Sequence, residues 1–184
     1  LIIGLGNRLM TDDGVGLEAL RAFEESYGLP QGVDLLDGGT LGLDLLVHIE
    51  GYPRVLIADC VTAGHPPGTV FRLEGNEVPR AFSQCLSPHQ MGLKDLVAVL
   101  ELQGRLPEAL IVLGVEPQSV ELGLELTDPV REALPRLVAA MERVLREWQV
   151  VAGPKTPGEG AVGGAAGGRS ARGRLDRGGG GRHP

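Results

Sequence analysis

The chain has 184 residues, with 24 Asp and Glu against 17 Lys and Arg for a formal net charge of −7, a length that reads as one domain. The excess is uneven: residues 151–184 hold six basic and two acidic residues, a net +4, which leaves residues 1–150 with 11 against 22, a net −11. A body that acidic has no basic face to follow a phosphate backbone, which excludes nucleic acid as a main partner, and two cysteines 25 residues apart, Cys60 and Cys85, exclude a disulfide scaffold or a thiolate zinc finger.

Leu1 to Leu5 read as a buried strand. Because the chain opens inside it, at Leu1 rather than Met, one or two native residues are expected ahead of it and fraying is expected there. Gly14 to Tyr27 follow as a helix, with Val15, Ala19, Leu20, Phe23 and Tyr27 on one face and Thr11 and Asp12 as capping candidates. Val33 to Leu36 make a short second strand, and Leu41 to Ile49 a second helix after a Gly38-Gly39 turn. Arg54 to Ala58 are the third strand. Gly68 to Leu73 alternate like a strand and follow His65-Pro66-Pro67, a link too short for a crossover helix, so this strand should run antiparallel to its predecessor and make the sheet mixed.

Ser87-Pro88-His89-Gln90 opens a helix, with Ser87 at the N-cap, Pro88 at the first position and Gln90 placed for a capping box; Leu93, Leu96, Val97 and Leu100 supply its buried stripe. Ala109 to Val115 are an apolar fifth strand. Asp128-Pro129 starts a last helix, buried through Val130, Leu134, Leu137, Val138, Met141, Leu145 and Trp148, which Pro135 should kink or whose true start it should mark. Strand runs alternating with helical periods define an α/β fold over residues 1–150. Residues 151–184 differ: Gly and Pro supply 15 of the 34, no core can form, and a disordered tail is expected. No apolar run approaches the roughly 18 residues that span a bilayer, and no charged-then-apolar leader precedes the first strand, so no membrane partner and a cytoplasmic, reducing location are expected.

Gly4-Leu5-Gly6-Asn7 after a strand suggests a phosphate-binding turn, with Asp37 where a ribose-binding acid would stand. Against a nucleotide-binding Rossmann-like module, Leu9 occupies the third glycine's place, and Asp12 and Asp13 would repel a pyrophosphate. The charges at the same edge point elsewhere. Asp13 follows the first strand, Asp59 follows Val55-Leu56-Ile57-Ala58, and His89 stands in the first turn of its helix. With strands one and three parallel, the two acids fall at the carboxyl edge of the sheet, where crevices form. Two carboxylates and one imidazole suit Ni, Zn or Fe(II) with positions left open, and the helix N-terminus favours neutral His89 as a ligand. Each also has a structural explanation: Asp12 and Asp13 as caps, Asp59 as a turn residue, His89 as plain surface. His48 and His65 should face solvent or pack locally. Cys60 or Cys85 with His89 as base would make a thiol hydrolase, although a small buried thiol is the ordinary role of both.

Six segments, Gly4-Leu5-Gly6-Asn7, Thr11-Asp12-Asp13-Gly14-Val15-Gly16, Asp37-Gly38-Gly39-Thr40, Ile57-Ala58-Asp59, Ser87-Pro88-His89-Gln90 and Leu113-Gly114-Val115-Glu116-Pro117, resemble in order and spacing the nickel-iron hydrogenase maturation endopeptidases. The resemblance covers about residues 1–148 and leaves the Gly/Arg tail unmatched. It implies a phosphorylase/hydrolase-like fold, a three-layer α/β/α sandwich around a mixed, mostly parallel sheet of about five strands. It also implies a cytoplasmic, aspartate- and metal-assisted peptidase that removes the C-terminal extension of the hydrogenase large-subunit precursor after nickel insertion. The metal-contacting and catalytic residues it implies are Asp13, Asp59 and His89. Some members carry Glu at the first position, so Asp13 is a shorter reach, and Ser87-Pro88-His89-Gln90 is similar to the uptake-type branch. Nickel would arrive with the substrate rather than reside in the free enzyme, and zinc or another divalent ion could substitute. Nickel could polarise the scissile carbonyl or activate a bound water, or Asp13 or Asp59 could act as general base on free water. Asp37, Gly38 and Gly39 would form a flexible substrate loop, since paired glycines permit unusual backbone shapes. A monomer is expected.

Overall fold

The computed structural model describes residues 1–75, 77–78, 88–150 and 153–154, with the side chains of 88–92 and 154 outside the description. Expectations for Cys85, Ser87 and the tail beyond Pro154 therefore lie outside the described residues. Strand β1 (Ile2–Leu5) leads through a 3-10 turn at Thr11–Gly14 into helix α1 (Val15–Ser26). Next come β2 (Tyr27–Gly28), β3 (Leu35–Gly39), a 3-10 turn at Gly42–Leu45 and the single helical turn α2 (Leu46–Ile49). The remainder is β4 (Arg54–Cys60), β5 (Val70–Glu74), α3 (Pro88–Leu102), β6 (Ala109–Val115), α4 (Asp128–Glu147) and β7 (Gly153–Pro154).

The main sheet has the order β3-β1-β4-β6-β5; β3, β1, β4 and β6 are parallel and β5 is antiparallel to β6. Side-chain alternation along each strand creates two apolar faces. Ile2, Leu56, Ala58, Cys60, Ile111, Leu113 and Val115 meet α1 and α4 through Val15, Phe23, Leu137 and Met141. Ile3, Leu5, Val55, Ile57 and Val112 meet α3 and the second 3-10 turn through Leu93, Leu96, Leu100 and Leu45. The expected α/β/α sandwich around a mixed, mostly parallel sheet is borne out. A parallel sheet covered on both faces needs strands apolar on both, as the fully buried β1 has.

Several boundaries differ from expectation. β1 is paired on both sides, to β3 and to β4, so the strand is not frayed. The second strand starts later and runs through Asp37-Gly38-Gly39, which is therefore the end of a paired strand and not a loop or turn. Gly38 is required there by close packing: a Cβ would come within 2.7 Å of both the Ile3 and Leu5 side chains. β5 runs opposite to β4, as its short link demands, but its neighbour is β6, which takes the edge of β4. The second helix divides into a 3-10 turn and one α turn, and α4 begins at Asp128 and continues past Pro135, so that proline does not mark its start. Gly153–Pro154, beyond the boundary expected at residue 150, pair with Tyr27–Gly28. Among the described residues, no helix is long and apolar enough to cross a membrane.

Candidate active site at the carboxyl edge of the sheet

Asp13 and Asp59 both stand where parallel strands end. Gly4 pairs with Ala58, so β1 and β4 finish side by side; Asp59 is the next residue of β4, and Asp13 returns to the end of β1. The return is tight. Gly6 sits at φ +125°, and a Cβ on it would lie 1.7 Å from the Asp13 carbonyl oxygen, so only glycine lets the two segments touch. On the other side Gly16 brings the first turn of α1 onto the strand ends, where a Cβ would lie 2.2 Å from the Ala58 carbonyl oxygen and 2.4 Å from that of Leu5.

Both carboxylates are buried, Asp59 completely and Asp13 at 5% exposure, and a backbone amide orients each. Asn7 N–H donates to Asp13 Oδ2 at 2.9 Å, and Cys60 N–H to Asp59 Oδ1 at 2.8 Å. The N-cap position of α1 is Gly14, which has no side chain to offer its first turn. By alternation along β4, Asp59 shares the face of Val55 and Ile57, which is the face α3 covers. The C-terminal end of α3 feeds the start of β6, so the first turn of that helix, with the backbone of His89, belongs at the opposite, carboxyl edge. Its side chain lies outside the described residues. Among the described residues, no three His, Cys, Asp or Glu side chains are grouped closely enough to hold a metal by themselves.

Asp12, expected as a cap, has a different role. It is fully buried, its Oδ1 accepts from Thr127 N–H at 2.7 Å, and its Oδ2 accepts from Gln118 N–H, Ser119 N–H and the Thr127 hydroxyl at 2.9, 3.0 and 2.8 Å. The loop after β6 is thus tied to the residue before Asp13 and to the start of α4. Thr11 reinforces the tie at φ 48°, a conformation that costs a β-branched residue of order 1–3 kcal/mol. Its N–H donates to the Gly123 carbonyl at 2.8 Å and its hydroxyl to the Glu121 carbonyl.

Glu116 is a second acid that sequence reasoning left without a role. Buried at the end of β6, it accepts from Ala63 N–H at 2.8 Å and Gly64 N–H at 3.2 Å, fixing the loop that leaves Asp59 and Cys60. The signal that picks out Asp59, an acid closing an all-apolar strand, was present here too. Asp37 is half exposed and lies 3.4 Å from Arg8. Gly39 in turn accepts from Gly6 N–H at 2.9 Å, so the strand end packs directly beside the glycine turn. His48 and His65 are exposed, the latter tilted against Phe71 with ring centroids 5.0 Å apart.

These contacts disfavour the two rival chemistries. The Asn7 amide of the glycine turn is spent on Asp13, and the turn faces buried carboxylates rather than open space, so it offers no cradle for phosphate. Burial, then the neighbouring Asp59, Asp13, Asp12 and Glu116, push the Cys60 thiol well up, the reverse of what a thiolate nucleophile needs. A cavity of about 770 Å³ opens at the amino edge between Tyr52, Leu100 and Leu106, opposite the carboxylates, where Glu50 is paired with Arg105.

The sequence profile of a hydrogenase maturation protease family matches residues 17–144. The chain is 37% identical over 156 residues to the hydrogenase 2 maturation protease of Escherichia coli K12, covering 84% of this chain and 95% of that one. It is also 37% identical over 152 residues to a hydrogenase expression/formation protein, HupD, of Rhizobium leguminosarum bv. viciae, covering 82% and 75%. Among solved structures it superposes on the hydrogenase maturating endopeptidase HybD from E. coli with a TM-score of 0.80 at 37% identity, covering 84% and 96%. The [NiFe] hydrogenase maturation protease HybD from Thermococcus kodakarensis gives a TM-score of 0.64 at 32% identity, covering 78% and 96%.

Proposed function

The chain belongs to the hydrogenase maturation protease family, and from that premise we propose that it removes the C-terminal extension of a [NiFe]-hydrogenase large-subunit precursor once nickel has been inserted. The observation that carries the proposal is the pair of buried carboxylates, Asp13 and Asp59, oriented by backbone amides at the ends of adjacent parallel strands. With Asp12 and Glu116 they concentrate acidic groups in one buried edge, which favours an incoming cation. Nickel is that cation and belongs to the substrate. Held by the precursor's own ligands, it presents open positions to Asp13, Asp59 and His89, so that metal occupancy is the recognition signal; zinc or another divalent ion can take the same contacts.

Docking through the metal places the scissile peptide beside it. Hydrolysis then proceeds by polarisation of the carbonyl or activation of a bound water, or with Asp13 or Asp59 as general base toward free water. Asp37, Gly38 and Gly39, the paired end of β3 beside the glycine turn, would contact the substrate. We place the reaction in the cytoplasm, with the enzyme acting as a monomer. The test is incubation with nickel-loaded and nickel-free precursor, reading cleavage by intact mass. Wild type should cleave only the loaded form, and Asp59→Asn neither; equal cleavage of both forms, or full activity of Asp59→Asn, refutes the proposal.

A further inference from the structure

Beside the carboxylates lies an apolar surface that the metal contacts do not use. After β6 the chain runs out through Pro117 to Thr127. Val120, Leu122 and Leu124 are exposed at alternate positions, Leu122 at 84% and Leu124 at 79%. Glu121 and Glu125 are exposed as well, in a bent segment that presents charged and apolar side chains together to solvent. Gly123, between them, faces inward: a Cβ there would lie 2.8 Å from Thr11 Oγ1. Met10 and Gly123 form a parallel bridge, Gly123 N–H donates to the Leu9 carbonyl at 3.0 Å, and Leu9 is itself exposed. The row is therefore fastened to residues 9–12, immediately before Asp13, and Asp12 clamps both of its ends.

Its charge is one-sided. Between Arg105 and Arg131 there is no Lys or Arg, while Glu121 and Glu125 interleave with the exposed leucines. Apolar surface standing in water beside a buried acidic site, and held rigid against it, marks a place for a partner chain. We propose that the Val120–Leu124 row is the docking rim for the precursor polypeptide, and that it takes an extended apolar stretch flanked by basic residues. The proposal rests on the maturation-protease function above and adds the determinant that selects the polypeptide as distinct from the metal. The leucines contribute burial, and Glu121 and Glu125 contribute charge pairing that sets orientation and encounter rate.

Steady-state cleavage of nickel-loaded precursor tests this. The double variant Leu122→Ser/Leu124→Ser should keep the wild-type melting temperature and kcat while KM rises about tenfold or more, because binding surface is lost away from the reacting atoms. Leu102→Ser, which removes an 88% exposed leucine from the end of α3, should leave both constants unchanged. Glu121→Gln/Glu125→Gln should raise KM at low ionic strength and flatten its dependence on salt. An unchanged KM in the leucine double variant, or an equal rise in Leu102→Ser, overturns the rim while wild-type cleavage keeps the functional reading intact. A leucine variant that instead converts a wild-type dimer to monomer in sedimentation overturns it in favour of self-association. Failure of wild type to cleave loaded precursor defeats the functional reading itself, and the rim with it.

Discussion

Removing the Asp12 carboxylate separates the two roles this residue could have. If Asp12 were a helix cap, Asp12→Ala would cost about 1 kcal/mol. In the structure it accepts four hydrogen bonds, three from backbone amides and one from the Thr127 hydroxyl, and no part of it reaches solvent. Hydrogen bonds to a charged group contribute about 1.5–3 kcal/mol each, and buried donors left without an acceptor add their own penalty. Even if water entering the vacated space recovers half of this, Asp12→Ala should cost about 4 kcal/mol or more. At roughly 2–4 °C per kcal/mol for a domain of this size, the melting temperature should fall by about 10 °C or more. Asp12→Asn should fall between, because its amide retains one acceptor oxygen but turns an NH₂ toward at least one N–H donor. Thermal unfolding by circular dichroism measures the loss. Amide hydrogen exchange at Gln118, Ser119 and Thr127 locates it, since these groups should lose protection first. A fall of under about 4 °C in Asp12→Ala, without faster exchange at those amides, would return Asp12 to the role of a cap and refute the clamp.

His89→Ala should stay folded, since the described buried stripe of α3 begins a turn later at Leu93, and stability should change by about 0.5 kcal/mol while precursor processing is lost. His89→Gln should behave alike; processing at the wild-type rate by either variant would remove His89 from the site. Cys60→Ala should process precursor normally, because the folded thiol is held protonated. Its raised pKa also gives a signed pH effect: the unfolded thiol loses its proton above about pH 8.5 while the folded one retains it. The stabilisation is complete below that pH and declines above it by up to about 1.4 kcal/mol per pH unit. Denaturant melts at pH 7 and 10 should show this decline in wild type relative to Cys60→Ala; parallel pH profiles would show that the thiol ionises equally in both states.

Periodicity and apolar runs are local properties, and wherever the fold depends on them it was legible. Leu1–Leu5, Arg54–Ala58 and Ala109–Val115 read as buried strands, within a residue or two of the observed bounds, and Val15, Phe23, Leu93 and Leu137 as inward helix positions, because period and hydropathy set which face leaves water. Asp59 could be singled out because a charge closing an apolar run is unusual in a single stretch of chain, and Asp13 because it follows the glycine turn after the first strand. Glycines that pack backbone on backbone were harder to interpret: Gly38-Gly39 carries a turn signature, yet the side chains of Ile3 and Leu5 draw it into β3. The choice of β6 as neighbour for β5 depends on which strand occupies the edge of β4, and no residue of β5 records that. Asp12 is the sharpest case. Its partners lie 106 to 115 residues away, and a short polar side chain ahead of a helix looks the same in sequence whether it caps that helix or anchors a distant loop. Local composition determined the layers, the strands and the acids at their ends. Which backbone donors those acids received was decided only when the sheet closed, because a buried carboxylate must take whatever N–H groups the packed loops bring to it.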